Sequence, residues 1–377
     1  MNILFVQWRY LPDVPTYCEL THEIASALVA NGHAVTVVTG FPGYQNAYDG
    51  PTPPSRELKD GVEVYRIKPW FPGAIGFALA ASWQMMRHRS TTDLVMTTSD
   101  PPVLGPWFVT NLAGLGIPVI QILQDVHPEA AITVGALENG ALVSLLRFMD
   151  RMTARRAAAT IVLSEDMADT YRSSRDPKDL RVINNFRLNT PSTPPPDELI
   201  DRSKRNATFA GNIGRFQNID ALLDTAALLL SDDDIAINLV GRGSEYDRVQ
   251  RRIEAEGLHN VRLIPAVSRE EAQWLIERSE LAIVSLAPDV YRSSYPSKTM
   301  SYIDAHRPIL AIVEEDSSLA RDIVSHQLGT VSRPIPAEIA ESIRLLLVQG
   351  APLAQSSAFR KSETLKSWID LIEEFNT

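Results

Sequence analysis

The sequence predicts an α/β protein made of two doubly wound halves, and three observations carry that prediction. Short apolar runs alternate with helical patterns from the first residue onward, the order that builds a parallel sheet covered on both faces. The alternation stops once, in the proline-rich stretch 189–197, and then restarts. A chain of 377 residues also exceeds one ordinary core, so two domains are expected.

In the first half, residues 3–7 read as a strand, since the run has neither the cationic lead nor the apolar length of a signal peptide. Residues 19–30 have helical period and end at Asn31 and Gly32, a good C-cap. A strand at 35–39 leads into the loop 40–44, and a weaker strand pair surrounds 62–67. The apolar run 70–86 contains Pro72 and Gly73 and falls short of a membrane span. It suits a buried helix with a basic last turn, or an interfacial helix with Arg87, His88 and Arg89 at headgroup level. A strand at 93–97, a helix at 103–115 and a strand at 118–123 follow. A long helix at 141–157, a strand at 159–163 and a short helix at 165–171 complete the half.

Four prolines within 189–197 can join neither a helix nor a central strand, so this segment is a semi-rigid connector. Strands at 207–210, 235–240, 261–264 and 281–285 then alternate with helices at 219–230, 245–256 and 269–277. The run 295–308 reads as a helix of about three turns opened by Pro296, and 309–313 as a buried parallel strand. Helices from 318, at 336–348 and at 365–375 end the chain. The expected domains are 1–186, a linker 187–204, a second domain 205–355, and a C-terminal helix within 356–377 that packs back on the first. Ligands of such folds sit beyond the carboxyl ends of the strands, which predicts an inter-domain cleft as the binding site.

Composition narrows the function. The 45% apolar and 22% charged fractions are those of a soluble globular protein, and a net charge of -10 argues against wholesale nucleic-acid binding. A single cysteine, Cys18, excludes an internal disulfide and fits a reducing cytoplasm. The histidines are too scattered for a metal site.

Four constellations remain as chemistry. Ser297, Lys298 and Ser301 fall at the start of the Pro296 helix, where free N–H groups, a lysine and hydroxyls make an anion site. The run 209–218 passes from a strand through Gly211 and Gly214, which let backbone approach a diphosphate or simply make a tight turn. Gly241, Arg242 and Gly243 repeat that pattern after the next strand, at a place suited to a ribose or base. Asp125, His127 and Glu129 follow the strand 118–123, where a carboxylate and a histidine orient or deprotonate a hydroxyl; a capping Asp125 and an exposed His127 are the structural alternative.

These pieces, in this order, resemble the retaining glycosyltransferases of family 4, which have the GT-B fold of two Rossmann-like domains facing across a cleft. The likeness runs over nearly the whole chain: 31–42, 98–102, 124–129, 163–167, 182–185, 209–214, Pro296 to Lys298, and Arg307 with Pro308. It is strongest to the bacterial branch that builds capsule and O-antigen polysaccharides, including N-acetyl-fucosamine transferases. The resemblance implies a nucleotide-diphosphate-sugar donor in the second domain, a lipid-linked or other glycan acceptor against the first, no metal or other cofactor, and a cytoplasmic enzyme in peripheral contact with the membrane. Where the commoner family pattern has an arginine and a lysine for the diphosphate, this chain has Asn212 and Gln217, which leaves Lys298 as the main cation with Arg215 and Arg242 beside it. The family's two glutamates, which hold donor sugar and ribose, align with Ser293 and Ser301, and Tyr302 is expected near the ribose. A catalytically silent homologue serving as a scaffold, and a sugar-nucleotide epimerase of the same architecture, are the alternatives.

Overall fold

The computed structural model describes residues 1–43, 48, 50–113, 116–349 and 358–376. Tyr44 of the expected 40–44 loop, the end of the expected 103–115 helix and the expected 355/356 boundary lie outside the described residues. The chain divides into two compact units: Met1–Phe186 with Ser293–Tyr295 and Lys361–Thr377, and Arg187–Arg292 with Pro296–Arg360.

The first unit contains β1 (Asn2–Val6), α1 (Thr16–Ala30), β2 (Ala34–Thr39), β3 (Arg56–Lys59), β4 (Val62–Arg66), α2 (Ala74–His88), β5 (Leu94–Thr98) and α3 (Leu104–Phe108). It continues with β6 (Val119–Ile122), α4 (Glu129–Thr133), α5 (Ala141–Arg156), β7 (Ala159–Val162), α6 (Glu165–Arg175) and β8 (Leu180–Val182). Its eight strands lie in the order β3-β4-β2-β1-β5-β6-β7-β8, parallel except where β3 meets β4. β1, β5, β6 and β7 are buried on both faces, which is why they read as unbroken apolar runs rather than alternating ones.

The second unit contains β9 (Arg205–Ala210), α7 (Ile219–Leu228), β10 (Ile235–Val240), α8 (Tyr246–Glu256), β11 (Val261–Ile264), α9 (Arg269–Glu277) and β12 (Leu281–Ser285). Then come α10 (Lys298–Asp304), β13 (Ile309–Ile312), α11 (Ser318–Ser325), β14 (Gly329–Ser332) and α12 (Pro336–Gln349); α13 (Lys361–Glu373) belongs to the first unit, against α1. The six strands are all parallel, in the order β11-β10-β9-β12-β13-β14. Phe209, Ile237, Leu239, Ile283 and Leu310 form the centre of its core beneath α7 and α12.

Three local readings are corrected. The helix opened by Pro296 starts at Lys298 and has seven residues, not about three turns: Pro296 and Ser297 form a turn before it, and His306 at φ 53 ends it. The 165–171 helix runs on to Arg175, whose side chain is anchored in the core by Asp150 and Glu129. The 103–115 helix is α-helical only to Phe108 and widens into a π-helical turn over Val109–Ala113. Strands β8 and β14 are short and not strongly apolar, so the apolar pattern does not announce them.

Candidate functional site

In each sheet the strand order reverses once, and a crevice opens there at the carboxyl ends of the strands. In the second unit that switch lies between β9 and β12. Beyond Ala210 the chain turns through Gly211 at φ +142, a conformation that a side chain strains. Gly241 does the same after β10, at φ +145, and a Cβ on it would fall 1.9 Å from the Gly211 carbonyl oxygen. Gly241 is therefore demanded by backbone lying directly on backbone, and Gly211 by its positive φ. The Gly211 N–H donates to the Val240 carbonyl at 2.9 Å, and the Ile213 N–H to the Arg242 carbonyl at 2.9 Å. The expectation that the Gly211 N–H serves a phosphate is corrected by this: the neighbouring strand end already uses it. Among the described residues, the amides of Asn212 and Gly214 have no hydrogen-bond partner.

Lys298, the first residue of α10, reaches back to this turn. A Cβ on Gly211 would stand 3.1 Å from its Nζ, so a side chain there would press on the end of the lysine. Nζ lies 3.5 Å from the centroid of the Phe209 ring, a cation–π contact. The residue keeps some exposure, yet its ammonium has none and no hydrogen-bond partner among the described residues. Burial without a counter-charge pulls its pKa down to about 7. Four residues along the same helix, Tyr302 is wholly buried; its hydroxyl accepts from the Ala210 N–H at 2.9 Å and donates to the Ala210 carbonyl at 3.2 Å. Tyr302 thus clamps the end of β9 and does not face a ribose. Burial raises its phenol pKa well above the ordinary value.

The other expected donor residues surround this pair. Ser297 and Ser301 are half-buried on α10 or its cap, and the Gln217 side-chain oxygen is buried without a partner. The Asn212 side chain packs against Gly214 and Gly243. Arg215 is exposed and pairs with Glu245 at 3.5 Å, while the Arg242 guanidinium lies 4.6 Å from the Tyr246 ring centroid. Lys298 is the cation that the fold places against the Gly211 turn.

In the first unit the segment after β6 is held on three sides. Asp125 forms an isolated antiparallel bridge with Ser294, and the Val126 N–H donates to the Ser293 carbonyl at 2.7 Å. Ser293 itself is buried and belongs to the first unit. His127 is half-exposed, and its carbonyl accepts from Arg175 at 3.2 Å. Glu129 is bound to Arg175 at 2.6 Å and Arg147 at 3.0 Å. Burial pushes its carboxyl pKa up, but the arginines outweigh burial and hold it below the ordinary value. The reading of Glu129 as an acid or base is corrected: it is an ion-pair anchor, fixed because Arg175 also binds the buried Asp150 at 2.7 Å. Asp125 and His127 stay half-exposed at the strand end, with side chains that make no hydrogen bond among the described residues. Among the described residues, no group of three or more His, Cys, Asp or Glu has the arrangement to hold a metal ion.

Known proteins place this geometry. Residues 19–185 match the model of the glycosyl transferase 4-like domain. A probable glycosyltransferase, WbjE of Pseudomonas aeruginosa, is 26% identical over 246 residues, which are 63% of this chain and 61% of that protein. Sucrose-phosphate synthase from Thermosynechococcus elongatus superimposes with a TM-score of 0.78 at 14% identity, over 99% of this chain and 98% of its own. Anabaena HepE, solved with UDP-glucose, gives 0.72 at 16% identity over 99% and 100%. WaaG, a glycosyltransferase involved in lipopolysaccharide biosynthesis, gives 0.66 at 16% identity over 98% and 95%. The fold is GT-B.

The first of the two Rossmann-like domains of this GT-B chain carries the matched glycosyl transferase 4-like region, while Gly211 and Lys298 lie in the second, outside it. Sequence reasoning missed Phe209 as the platform under the lysine, because an aromatic at a strand end looks like any core residue. It also missed Arg175, whose only signal was a basic residue closing an amphipathic helix.

Proposed function

We propose that this chain is a retaining glycosyltransferase that moves a sugar from a nucleotide-diphosphate-sugar to a lipid-linked acceptor during surface-polysaccharide assembly, working in peripheral contact with the inner face of the membrane. One observation carries the reading: the Lys298 ammonium is buried at the Gly211 turn with an aromatic face beneath it and no anion beside it. A buried ammonium is stabilised either by losing its proton or by gaining an anion, and a diphosphate supplies the anion. HepE with UDP-glucose makes a uridine-diphosphate sugar the first donor to try, and the WbjE and WaaG likenesses favour a bacterial glycan setting.

In this reading Lys298 binds the diphosphate together with the amides of Asn212 and Gly214. Gln217, Arg215 and Arg242 flank it, Ser297 and Ser301 offer hydroxyls to phosphate and ribose, and the Gly241 turn leaves room for the nucleoside. Asp125 or His127 orients the acceptor hydroxyl. Attack comes from the face that the diphosphate leaves: the new glycosidic bond forms as the old one breaks, and a departing phosphate oxygen takes the acceptor proton. The protein contributes position and charge stabilisation, with lysine in the role that a metal ion plays elsewhere.

Calorimetric titration with a panel of nucleotide sugars, followed by product analysis, tests this. The expected result is binding of one donor class that Lys298→Ala removes, and a transferred sugar when acceptor lipid is supplied. Failure of every common donor to bind would overturn the reading. A second reading, a catalytically silent scaffold, is favoured by Ser293 and Ser301, which the family resemblance aligns with the two glutamates that hold donor sugar and ribose. Donor binding without any product would select it, and an epimerised free donor would select neither.

A further inference from the structure

We infer that the first unit docks on an anionic lipid surface through the outer faces of α2 and α5. Every exposed tryptophan and phenylalanine among the described residues lies on these two helices or in the turn that leads into α2: Trp70 and Phe71 in the turn, Trp83 on α2 and Phe148 on α5. Trp83 is 51% exposed, Trp70 60% and Phe148 58%. On α2, Ile75, Trp83 and Met86 form one stripe, while the opposite face buries Phe77, Ala81 and Met85. On α5, Leu142, Leu145 and Phe148 repeat the arrangement at helical spacing. The α3 segment with its π-helical turn touches both helices, so the two stripes belong to one layer of the same unit.

Charge selects the partner. The protein carries a net charge of -10, yet residues 64–92 contain no aspartate or glutamate. Arg87 and Arg89 follow Met86 at the end of α2, and both are exposed. The one acid of α5, Asp150, is buried against Arg175, whereas Arg151 and Arg155 on its outer side are exposed; Arg155 meets Asp176. Aromatic side chains beside cationic stems are the composition that settles at a bilayer interface, with rings at the level of the headgroups and guanidinium groups on lipid phosphates. Apolar exposure alone would suit a second copy as well, but two such faces would bring like charges together.

The inference rests on the proposed lipid-linked acceptor for its purpose, and its test is read without donor. The full chain is sedimented with vesicles of phosphatidylcholine and with vesicles of phosphatidylcholine plus phosphatidylglycerol, at low and high salt. We expect partitioning onto the phosphatidylglycerol vesicles, weakened by salt. Trp83→Ser with Phe148→Ser, and separately Arg87→Glu with Arg89→Glu, should each weaken it by at least about tenfold. No partitioning, equal partitioning on both vesicles, or indifference to either double variant would overturn the inference. Self-association in sedimentation velocity that Trp83→Ser with Phe148→Ser abolishes would give the face to a second copy instead. Donor titration in solution separates the two readings: vesicle binding lost with donor binding intact removes only this surface, and the reverse removes only the transfer chemistry.

Discussion

At the switch point of the first unit, between β1 and β5, Arg9 donates to Asp100 at 2.6 Å, and Tyr17 donates to the other carboxylate oxygen at 2.7 Å. A second buried set nearby in that unit ties Arg175 to both Asp150 and Glu129. At the switch point of the second unit, between β9 and β12, the Lys298 ammonium lies over the Phe209 ring with no hydrogen-bond partner among the described residues. At its switch point the first unit thus neutralises its buried charge internally, whereas the second unit, which pairs Arg187 with Asp304 elsewhere, leaves Lys298 without a counter-charge among the described residues. Buried charges persist when paired, and the proposed diphosphate would supply the pairing that Lys298 lacks.

The comparison is broken most directly through Arg175. Arg175→Leu leaves Asp150 and Glu129 without their shared cation and should lower the stability of the first unit by about 3–5 kcal/mol in chemical denaturation. A loss near zero would mean that the first unit is not held by its internal pairing. On the other side, Lys298→Ala should cut donor turnover at least about a hundredfold, roughly 2.7 kcal/mol of transition-state stabilisation. The apolar Lys298→Met should leave the melting temperature unchanged or raised, because no pairing is lost. A Lys298→Met protein that melts well below the wild type would show that the ammonium is already satisfied. Next in size is Gly211→Ala, where φ +142 and a Cβ 3.1 Å from Nζ strain the turn; about 1–3 kcal/mol of stability should go.

The last effect is a pH slope, read unit by unit, and its sign follows from the lysine. Folded, Lys298 titrates near about 7, whereas an unfolded lysine titrates at about 10.4. Between those values the unfolded chain holds the extra proton, so this group makes stability rise with pH from about 7 to about 10, by at most about 1.4 kcal/mol per pH unit. Below the folded value both states are charged and the burial penalty is fully present. The difference between wild type and Lys298→Met in urea denaturation across this range isolates the term. A bound diphosphate should reverse it by holding the ammonium, seen as proton uptake when donor is titrated near pH 8.

Much of the frame was legible in the chain. The strands 235–240, 261–264 and 281–285 and the helix 269–277 coincide with β10, β11, β12 and α9, because an apolar run bounded by turn residues is a local signal. Lys298 and Gly211 were both singled out, one as a cation at a helix start and the other as a turn glycine, each on local grounds. Their approach to one another was not legible, since it depends on β9 and β12 being neighbours in the sheet. Glu129 misled for the same reason: a carboxylate at a strand end looks available until Arg175, from a helix much later in the chain, is seen to hold it.

By itself the amino-acid order determined the alternation of strands and helices, the proline-rich interruption between two sets of them, and the residues at which each strand ends in a glycine or a polar turn. Those are consequences of period and of backbone freedom, which act over a few residues. Only the tertiary structure decided which charges cancel. It spent Glu129 and Asp150 on Arg175, set the Tyr302 hydroxyl on the Ala210 backbone, and put the Lys298 ammonium over Phe209 with no hydrogen-bond partner among the described residues. Electrostatic partners are chosen by proximity in space, and proximity is set by strand order, which no local pattern records.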